Sequence, residues 1–382
     1  MRILLFYGWD IQALGGAEIS VCQLAEALIG AGHSVGIADI RPDLSERSLG
    51  LLRVPYWSTP SVPFPRGIRS GARFLHSAWR VGSVLREFRP DVVSVQCPVL
   101  QCHLLVAASL LHRRHRLVVT VRGSDIRDLS NYPYLKSWQT LLLKRADSVI
   151  AVSRSLLQDL LALYPSVRNK AQVIPNGLDR SWFDQAATPP TDSGRYVLFV
   201  GRLHVIKGVD LLLRAWSLVQ ERVPRVKLWL VGEGQELEGL RSLSEQLGVS
   251  TSVRFKGYKT PAELRSLYRD AAVVVIPSRN EGLPRVSLEA GACRAIRVAT
   301  RVGGIPETIQ GGVTGVLVDP ESPEALADGI LRALHLPEPE RRHMSAAARD
   351  DVRQQFNLEK MVARYEEIFQ LVLWGRAEHP TR

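Results

Sequence analysis

The sequence predicts an α/β protein made of two doubly wound parallel sheets. Short apolar, β-branched runs alternate with amphipathic helical stretches along the whole chain, the pattern of parallel sheets covered on both faces. The alternation breaks once, at Ala186-Ala187-Thr188-Pro189-Pro190 and Asp192–Gly194, a linker composition, and then restarts. The length of 382 residues suffices for two domains that each bury a core.

In the first half the strand-like runs are Ile3–Tyr7, Ser34–Ile40, Asp91–Gln96, Leu117–Val121, Ser148–Val152 and Gln172–Ile174. In the second half they are Tyr196–Val200, Lys227–Val231, Val253–Phe255, Val273–Ile276, Val298–Ala299 and Gly315–Val318. A closing helix over Leu358 to Trp374 repeats apolar residues at Met361, Tyr365, Ile368, Leu371 and Leu373. The expected domains are residues 1–180 and 181–357, with 358–382 as the closing helix.

Apolar content of 46% with 23% charge is ordinary for a soluble enzyme. The cysteines Cys22, Cys97, Cys102 and Cys293 show no paired close spacing, which argues against a disulfide framework and for a reducing cytoplasm. Cys97, Cys102 and His103 read as strand-end and helix residues, and no metal is expected. The run Arg2 to Tyr7 is too short for a signal peptide, and no apolar stretch reaches membrane length. The charge is lopsided. Residues 1–175 carry 21 Lys and Arg against 12 Asp and Glu, a net +9, and the remainder carries 28 against 26, a net +2. An anionic partner for the first half follows: a membrane surface, an acidic glycan or nucleic acid. No nucleic-acid motif accompanies the charge, so nucleic-acid binding stands only as a rival reading.

Within Arg66 to Phe88, apolar residues recur at Ile68, Ala72, Leu75, Trp79, Val81 and Leu85, while Arg69, Arg73, His76 and Arg80 share one helical face. A basic amphipathic helix of this kind suits an anionic membrane; a solvated helix face is the plainer alternative.

The stretch Asn280 to Glu289, Asn-Glu-Gly-Leu-Pro-Arg-Val-Ser-Leu-Glu, follows the buried strand Ala271 to Ser278. Pro284 suits a first helical position, so the amides after Gly282 should form an anion site at a helix start. Glu281 in the loop and Glu289 about two turns into the helix bracket it, and 100° per residue puts them within a quarter-turn of one face. A sugar nucleotide, with phosphates on one side and hydroxyls on the other, fits such a cradle. The plainer alternative is a capped surface helix. Gly15-Gly16 opens another helix but lacks the Gly-x-Gly-x-x-Gly spacing of a dinucleotide site.

The Glu-x7-Glu spacing resembles the donor-site motif of retaining family 4 glycosyltransferases of the GT-B fold. Further motifs of that family appear in order: Gly15-Gly16, Val200-Gly201-Arg202-Leu203 with Lys207-Gly208, Leu230-Val231-Gly232-Glu233-Gly234, Phe255-Lys256-Gly257-Tyr258 and Arg301–Glu307. The resemblance implies two Rossmann-like domains facing across a cleft, with the closing helix packed back on the first. It implies a nucleotide-diphosphate-sugar donor and an acceptor hydroxyl, such as a lipid-linked or glycan acceptor of cell-surface polysaccharide synthesis. It places the donor diphosphate among Gly15, Gly16, Arg202, Lys207 and Gly282–Leu283–Pro284. Glu281 would bind sugar hydroxyls, Glu289 the ribose, and loops at Gly232 and Gly257 would surround the base. Two fixed cations would stabilise the departing diphosphate without a metal. The segment Val119 to Asp128 resembles the family's His-Gly-Ser-Asp turn, with Arg122 where that pattern has histidine. Arginine cannot accept a proton at neutral pH, so Arg122 is a site residue without proton transfer. That agrees with the family's front-face attack, in which the leaving phosphate takes the acceptor's proton. A sugar-nucleotide epimerase with the same architecture is the nearest rival. Cys293-Arg294-Ala295-Ile296-Arg297 replaces the family's Gly- and Pro-containing turn, and its two arginines read as solvated.

Overall fold

The structure is a computed structural model and describes residues 1–8, 15–41, 56–60, 68–98, 106, 115–127, 133–184 and 196–375. The chain divides into two compact units: Met1–Pro175 together with Leu358–Arg382, and Asn176–Asn357.

The first unit holds a seven-stranded sheet: β1 (Arg2–Tyr7), β2 (Ser34–Arg41), β3 (Tyr56–Pro60), β4 (Val92–Gln96), β5 (Arg116–Val121), β6 (Ser148–Ala151) and β7 (Ala171–Val173). The spatial order is β3-β2-β1-β4-β5-β6-β7, and every pair is parallel. Its longer helices are α1 (Gly16–Gly30), α2 (Ile68–Phe88), α3 (Pro133–Arg145), α4 (Arg154–Leu163) and, from the far end of the chain, α11 (Leu358–Trp374). Ile3 to Tyr7 of β1 are all buried, which is why a parallel strand reads as an unbroken apolar run. Met361, Val362, Tyr365, Ile368 and Phe369 of α11 enter the same core as Ile3, Leu5, Leu24 and Leu28. The closing helix thus belongs to the first unit, as the resemblance implied.

The second unit holds a six-stranded parallel sheet of β8 (Tyr196–Val200), β9 (Lys227–Val231), β10 (Val253–Phe255), β11 (Val273–Ile276), β12 (Arg297–Thr300) and β13 (Val316–Val318), ordered β10-β9-β8-β11-β12-β13. Its longer helices are α5 (Val209–Arg222), α6 (Leu237–Gln246), α7 (Pro261–Asp270), α8 (Arg285–Ala292), α9 (Pro323–Leu334) and α10 (Glu338–Gln355). Trp216 of α5 is fully buried in this core, and its indole N–H donates to Ser252 Oγ at 2.9 Å, the partner a buried tryptophan requires.

In each sheet the order reverses once, between β1 and β4 and between β8 and β11. Connections leave such a switch point in opposite directions and open a crevice at the carboxyl ends of the two strands, where ligands of open α/β sheets bind.

Three expectations are corrected. β3 was absent from the sequence reading. It pairs with β2 from Ile37↔Tyr56 to Arg41↔Pro60 and is an edge strand, where proline is tolerated. Pro284 is not the first helical residue: its ψ of 119° is extended, so it caps α8 and Arg285 opens the helix. Glu289 is accordingly one turn into α8, not two, and Glu281, in the loop before it, shares no helical face with it. Arg297 is not solvated; it is fully buried. Cys102 and His103 of the weighed metal cluster lie outside the described residues. Among the described residues, no three His, Cys, Asp or Glu side chains come together as metal ligands.

Candidate active site

The switch point of the second unit is built from two loops that touch. After β8 the chain turns through Gly201, Arg202 and the short 3-10 turn Val205–Lys207, which Gly208 ends at φ 65°. A Cβ at Gly208 would run into the Pro277 carbonyl at the end of β11, so glycine is required for this approach. After β11 the chain continues to Glu281. The two loops meet where Lys207 Nζ lies 2.6 Å from Glu281 Oε1. Ser278 Oγ donates to the same oxygen at 2.8 Å.

Arg279 ties the loops from behind. Its guanidinium donates to both oxygens of Asp210 at 2.7 and 2.8 Å and to the Val205 carbonyl at 2.7 Å, and its amide donates to Ile206 O at 2.8 Å. Burial pushes the Asp210 carboxyl up, but the bonds from Arg279 outweigh this and hold it below its usual range. Such a bidentate pair fixes geometry as well as charge. The sequence reading passed over Arg279, although it lies two residues before Glu281.

Arg202 is solvent-exposed and, among the described residues, its side chain makes no hydrogen bond; it does not join the Lys207–Glu281 pair. Gly282, Leu283 and Pro284 are buried and lead into α8. The Leu283 carbonyl is held by Asn176 Nδ2 at 3.2 Å. The first amides of α8, at Arg285 and Val286, precede any helical carbonyl that could accept from them, which gives α8 a positive end four residues after Glu281.

Glu289 sits one turn into α8 and is only 5% exposed. One carboxylate oxygen accepts from Arg285 Nε at 3.2 Å and the other from the Tyr268 hydroxyl at 3.1 Å. Burial, and then the neighbouring Glu289, push the Tyr268 phenol well up, so it stays a donor. Gly232 and Gly257 touch each other: Gly232 N donates to Gly257 O at 2.9 Å. A Cβ on Gly232 would strike the Gly201 carbonyl. These glycines let three strand-end loops pack backbone to backbone.

The remaining predicted residues belong to the first unit. Gly15 caps α1 with no side-chain bond, and Gly16 opens the helix. Glu18, in the first turn and buried, accepts from the Tyr7 hydroxyl at 2.7 Å. Arg122 follows β5, and its Nη2 donates to Gln96 Oε1 at 2.7 Å. Gln96 donates on to Thr120 Oγ1 at 3.2 Å, which contacts the Tyr365 hydroxyl of α11 at 3.2 Å. The Arg122 and Gly123 amides donate to Asp125. Burial pushes the Asp125 carboxyl up to about 6, against those amides, which favour its charged form. Arg122 is thus oriented by strands and by the closing helix.

A separate groove of about 680 Å³ in the second unit is lined by Arg222, Arg301, Asp319, Asp328, Arg332 and His335; apart from Arg301, which opens the Arg301–Glu307 motif, none of these was singled out in the sequence. The switch point carries the convergent charges and the helix start, and it is the better candidate.

The second unit's switch point thus brings a Lys–Glu pair and a helix N-terminus together at the carboxyl ends of the strands, where open α/β sheets bind ligands. Residues 181–351 match the family described as glycosyl transferases group 1, and residues 14–182 match glycosyltransferase family 4. The chain is 37% identical to the D-inositol 3-phosphate glycosyltransferase of Corynebacterium jeikeium over 83% of this chain and 82% of that protein. It is 31% identical to the N-acetyl-alpha-D-glucosaminyl L-malate synthase of Bacillus anthracis over 78% of each. The chain therefore belongs to glycosyltransferase family 4 and is a retaining glycosyltransferase that takes its sugar from a nucleotide-sugar donor. The epimerase and nucleic-acid readings find no support. Among solved structures, Anabaena HepE in complex with UDP-glucose is similar with a TM-score of 0.79 at 20% identity, covering 97% of this chain and 100% of that one. Sucrose-phosphate synthase from Thermosynechococcus elongatus is similar with a TM-score of 0.80 at 21% identity, covering 98% and 100%. These likenesses show the GT-B fold.

Proposed function

We propose that Lys207, Arg202 and the N-terminus of α8 hold the donor diphosphate, that Glu281 binds the sugar hydroxyls and that Glu289 binds the ribose. The observation that carries this reading is the Lys207–Glu281 contact of 2.6 Å at the β8/β11 switch point. An arriving diphosphate competes with Glu281 for Lys207. The cation moves to the leaving group, where charge grows as the glycosidic bond breaks, and the carboxylate is released to the sugar. Exposed Arg202 supplies the second charge, Gly15 and Gly16 line the phosphates and acceptor, and the loops at Gly232 and Gly257 line the base. Arg122 holds a phosphate or hydroxyl and moves no proton. With two cations and a helix end available, this reading needs no metal; turnover undiminished by a chelator supports it, and strict metal dependence contradicts it. The test of the donor site is thermal shift and donor hydrolysis across UDP-, GDP- and ADP-sugars. One base should stabilise the protein, and no response to any of the three removes the assignment.

For the acceptor, the reading is a lipid-linked or glycan hydroxyl of cell-surface polysaccharide, met by a cytoplasmic enzyme lying at the inner face of the membrane. α2 supports it: Trp79 is 61% exposed and stacks on His76 with ring centres 6.1 Å apart, on the helix that also carries Arg69, Arg73 and Arg80. Each arginine near an anionic surface contributes about 1 kcal/mol, so three give roughly 3, weak and salt-sensitive. Among the described residues no helix is long and apolar enough to cross a membrane. A second reading, a small anionic acceptor, draws on the names of the relatives, which specify inositol phosphate and malate. Co-sedimentation with anionic vesicles separates the two. Wild type should pellet at low salt and a variant with Arg69, Arg73 and Arg80 all changed to Glu should not; equal behaviour favours the soluble acceptor.

A further inference from the structure

Arg297 stands in β12 between Ile296 and Val298, in register with Val274 of β11, and is fully buried. Its partners are backbone oxygens drawn from three separate segments and, at 3.4 Å from Nη1, the Ser287 hydroxyl. Nη1 donates to Ser287 O in α8 at 2.9 Å and to Thr308 O at 3.0 Å; Nη2 donates to Thr314 O at 2.8 Å. Among the described residues no carboxylate forms an ion pair with it. Burial pulls its pKa down to about 10, and Asp351 opposes this from a distance. The surroundings are cut to fit the guanidinium: a Cβ on Gly291 would stand 2.8 Å from Nη1. An apolar residue is what a strand covered on both faces ordinarily carries, and a buried cation without a counter-charge is costly.

The bonds from Arg297 lead to Glu281. Ser287 and Thr308 share a hydroxyl–hydroxyl contact of 2.7 Å beside Nη1. Thr308 closes the 3-10 turn Ile305–Glu307. Gly304, at the head of that turn, donates its amide to the Glu281 carbonyl at 3.2 Å. Gly303, at φ 49°, lies so close that a Cβ would strike the same carbonyl. From the other end of β12, Thr300 Oγ1 donates to Ser278 O, and Ser278 holds the Glu281 carboxylate at 2.8 Å.

We propose that Arg297 is a positioning residue for the glycosyl transfer: by clamping α8 to the 302–308 turn it fixes the Glu281 loop at the height of the donor sugar. The inference rests on the donor-site reading above. Arg297 reaches no ligand. Without it α8 keeps its own helical bonds, the Asn176 bond to the Leu283 carbonyl and the Tyr268 bond to Glu289, so the loss falls on the Glu281 loop, which would face the sugar and not the nucleotide. Losing it should therefore slow turnover while leaving nucleotide binding in place.

The test uses the full chain and Arg297→Met, with hydrolysis of UDP-glucose, GDP-mannose and ADP-glucose for turnover and calorimetric titration with UDP, GDP and ADP for binding. The expected result is kcat lower by roughly tenfold or more, since a misplacement of about 1 Å can cost that much. Stoichiometry should stay near one site per chain, and the nucleotide Kd should stay within about threefold. If stoichiometry falls in proportion to kcat, Arg297 only keeps the chain folded and the inference is overturned; unchanged kcat overturns it equally. Should Arg297→Met fail to fold, Ser287→Ala carries the same test. It deletes the hydroxyl beside Nη1 and leaves the carbonyl clamp, and it should lower kcat roughly threefold at full stoichiometry, with unchanged kcat overturning the inference. Lys207→Ala separates the two levels. If it retains turnover, the donor-site reading falls and the inference with it. If it loses turnover while Arg297→Met keeps it, the inference alone falls.

Discussion

Replacing Lys207 by alanine should separate catalysis from stability. The ammonium lies 2.6 Å from Glu281 Oε1, with the lysine side chain 28% and the glutamate 11% exposed. A partly exposed ion pair of this kind stabilises by about 1 kcal/mol or less. In a domain of this size that shifts Tm by roughly 2–4 °C. Removing one fixed donor from a developing oxyanion costs about 2.7–4 kcal/mol, a factor of roughly 10²–10³ in kcat. The partial exposure of Lys207 places the expectation at the lower end, about a hundredfold. Glu281 keeps its bond from Ser278, so the loop should stay in place. The assay is donor hydrolysis per folded molecule well below Tm, with calorimetric unfolding alongside. Near-normal turnover in the folded variant would remove Lys207 from the site. A fall in Tm far beyond a few degrees would show instead that the pair holds the fold.

Glu289→Gln should raise the donor KM more than it lowers kcat, because a ribose contact is similar before and during reaction; kcat collapsing at constant KM would refute the ribose assignment. Glu289→Ala is expected to unfold more readily as well, by about 3–5 kcal/mol, because it removes one partner of a buried ion pair and the acceptor of the Tyr268 hydroxyl; denaturant midpoints of the two variants check this. Asp125 titrates at about 6 in the folded chain, above the ordinary carboxylate value, so the folded state holds its proton more tightly than the unfolded chain does. The stability this contributes is fully present below about pH 4 and is lost as pH rises through about 6, up to roughly 3 kcal/mol. Urea unfolding of wild type and Asp125→Asn should show wild type losing ground to the variant over that window; a flat or opposite difference refutes the assignment.

The parallel strands were legible because strands covered on both faces must be apolar runs, and Tyr196–Val200, Lys227–Val231, Val253–Phe255 and Val273–Ile276 fall where the pattern put them. Tyr56–Pro60 was hidden by its proline, which reads as loop punctuation yet is acceptable at a sheet edge. Pro284 misled by one residue, because proline fits a cap and a first helical position equally well and only ψ distinguishes them. The contact between Lys207 and Glu281 was within reach of motif reasoning, but the frame that holds it was not. Arg279 joins Val205 and Asp210 to Glu321, more than a hundred residues on, and Arg297 gathers carbonyls at 287, 308 and 314. One signal was available for Arg297: an arginine inside an apolar stretch of a central parallel strand must find partners, since neither face of that strand meets water.

The central claim, retaining transfer from a nucleotide sugar held at the second unit's switch point, is tested most directly by the anomer first released from an α-linked donor. The enzyme is mixed with the nucleotide sugar that stabilises it most, and hydrolysis or transfer is followed by proton NMR before mutarotation sets in. The α anomer should appear first in wild type, and the signal should fall about a hundredfold in Lys207→Ala. Release of the β anomer first, or full turnover in Lys207→Ala, would contradict it.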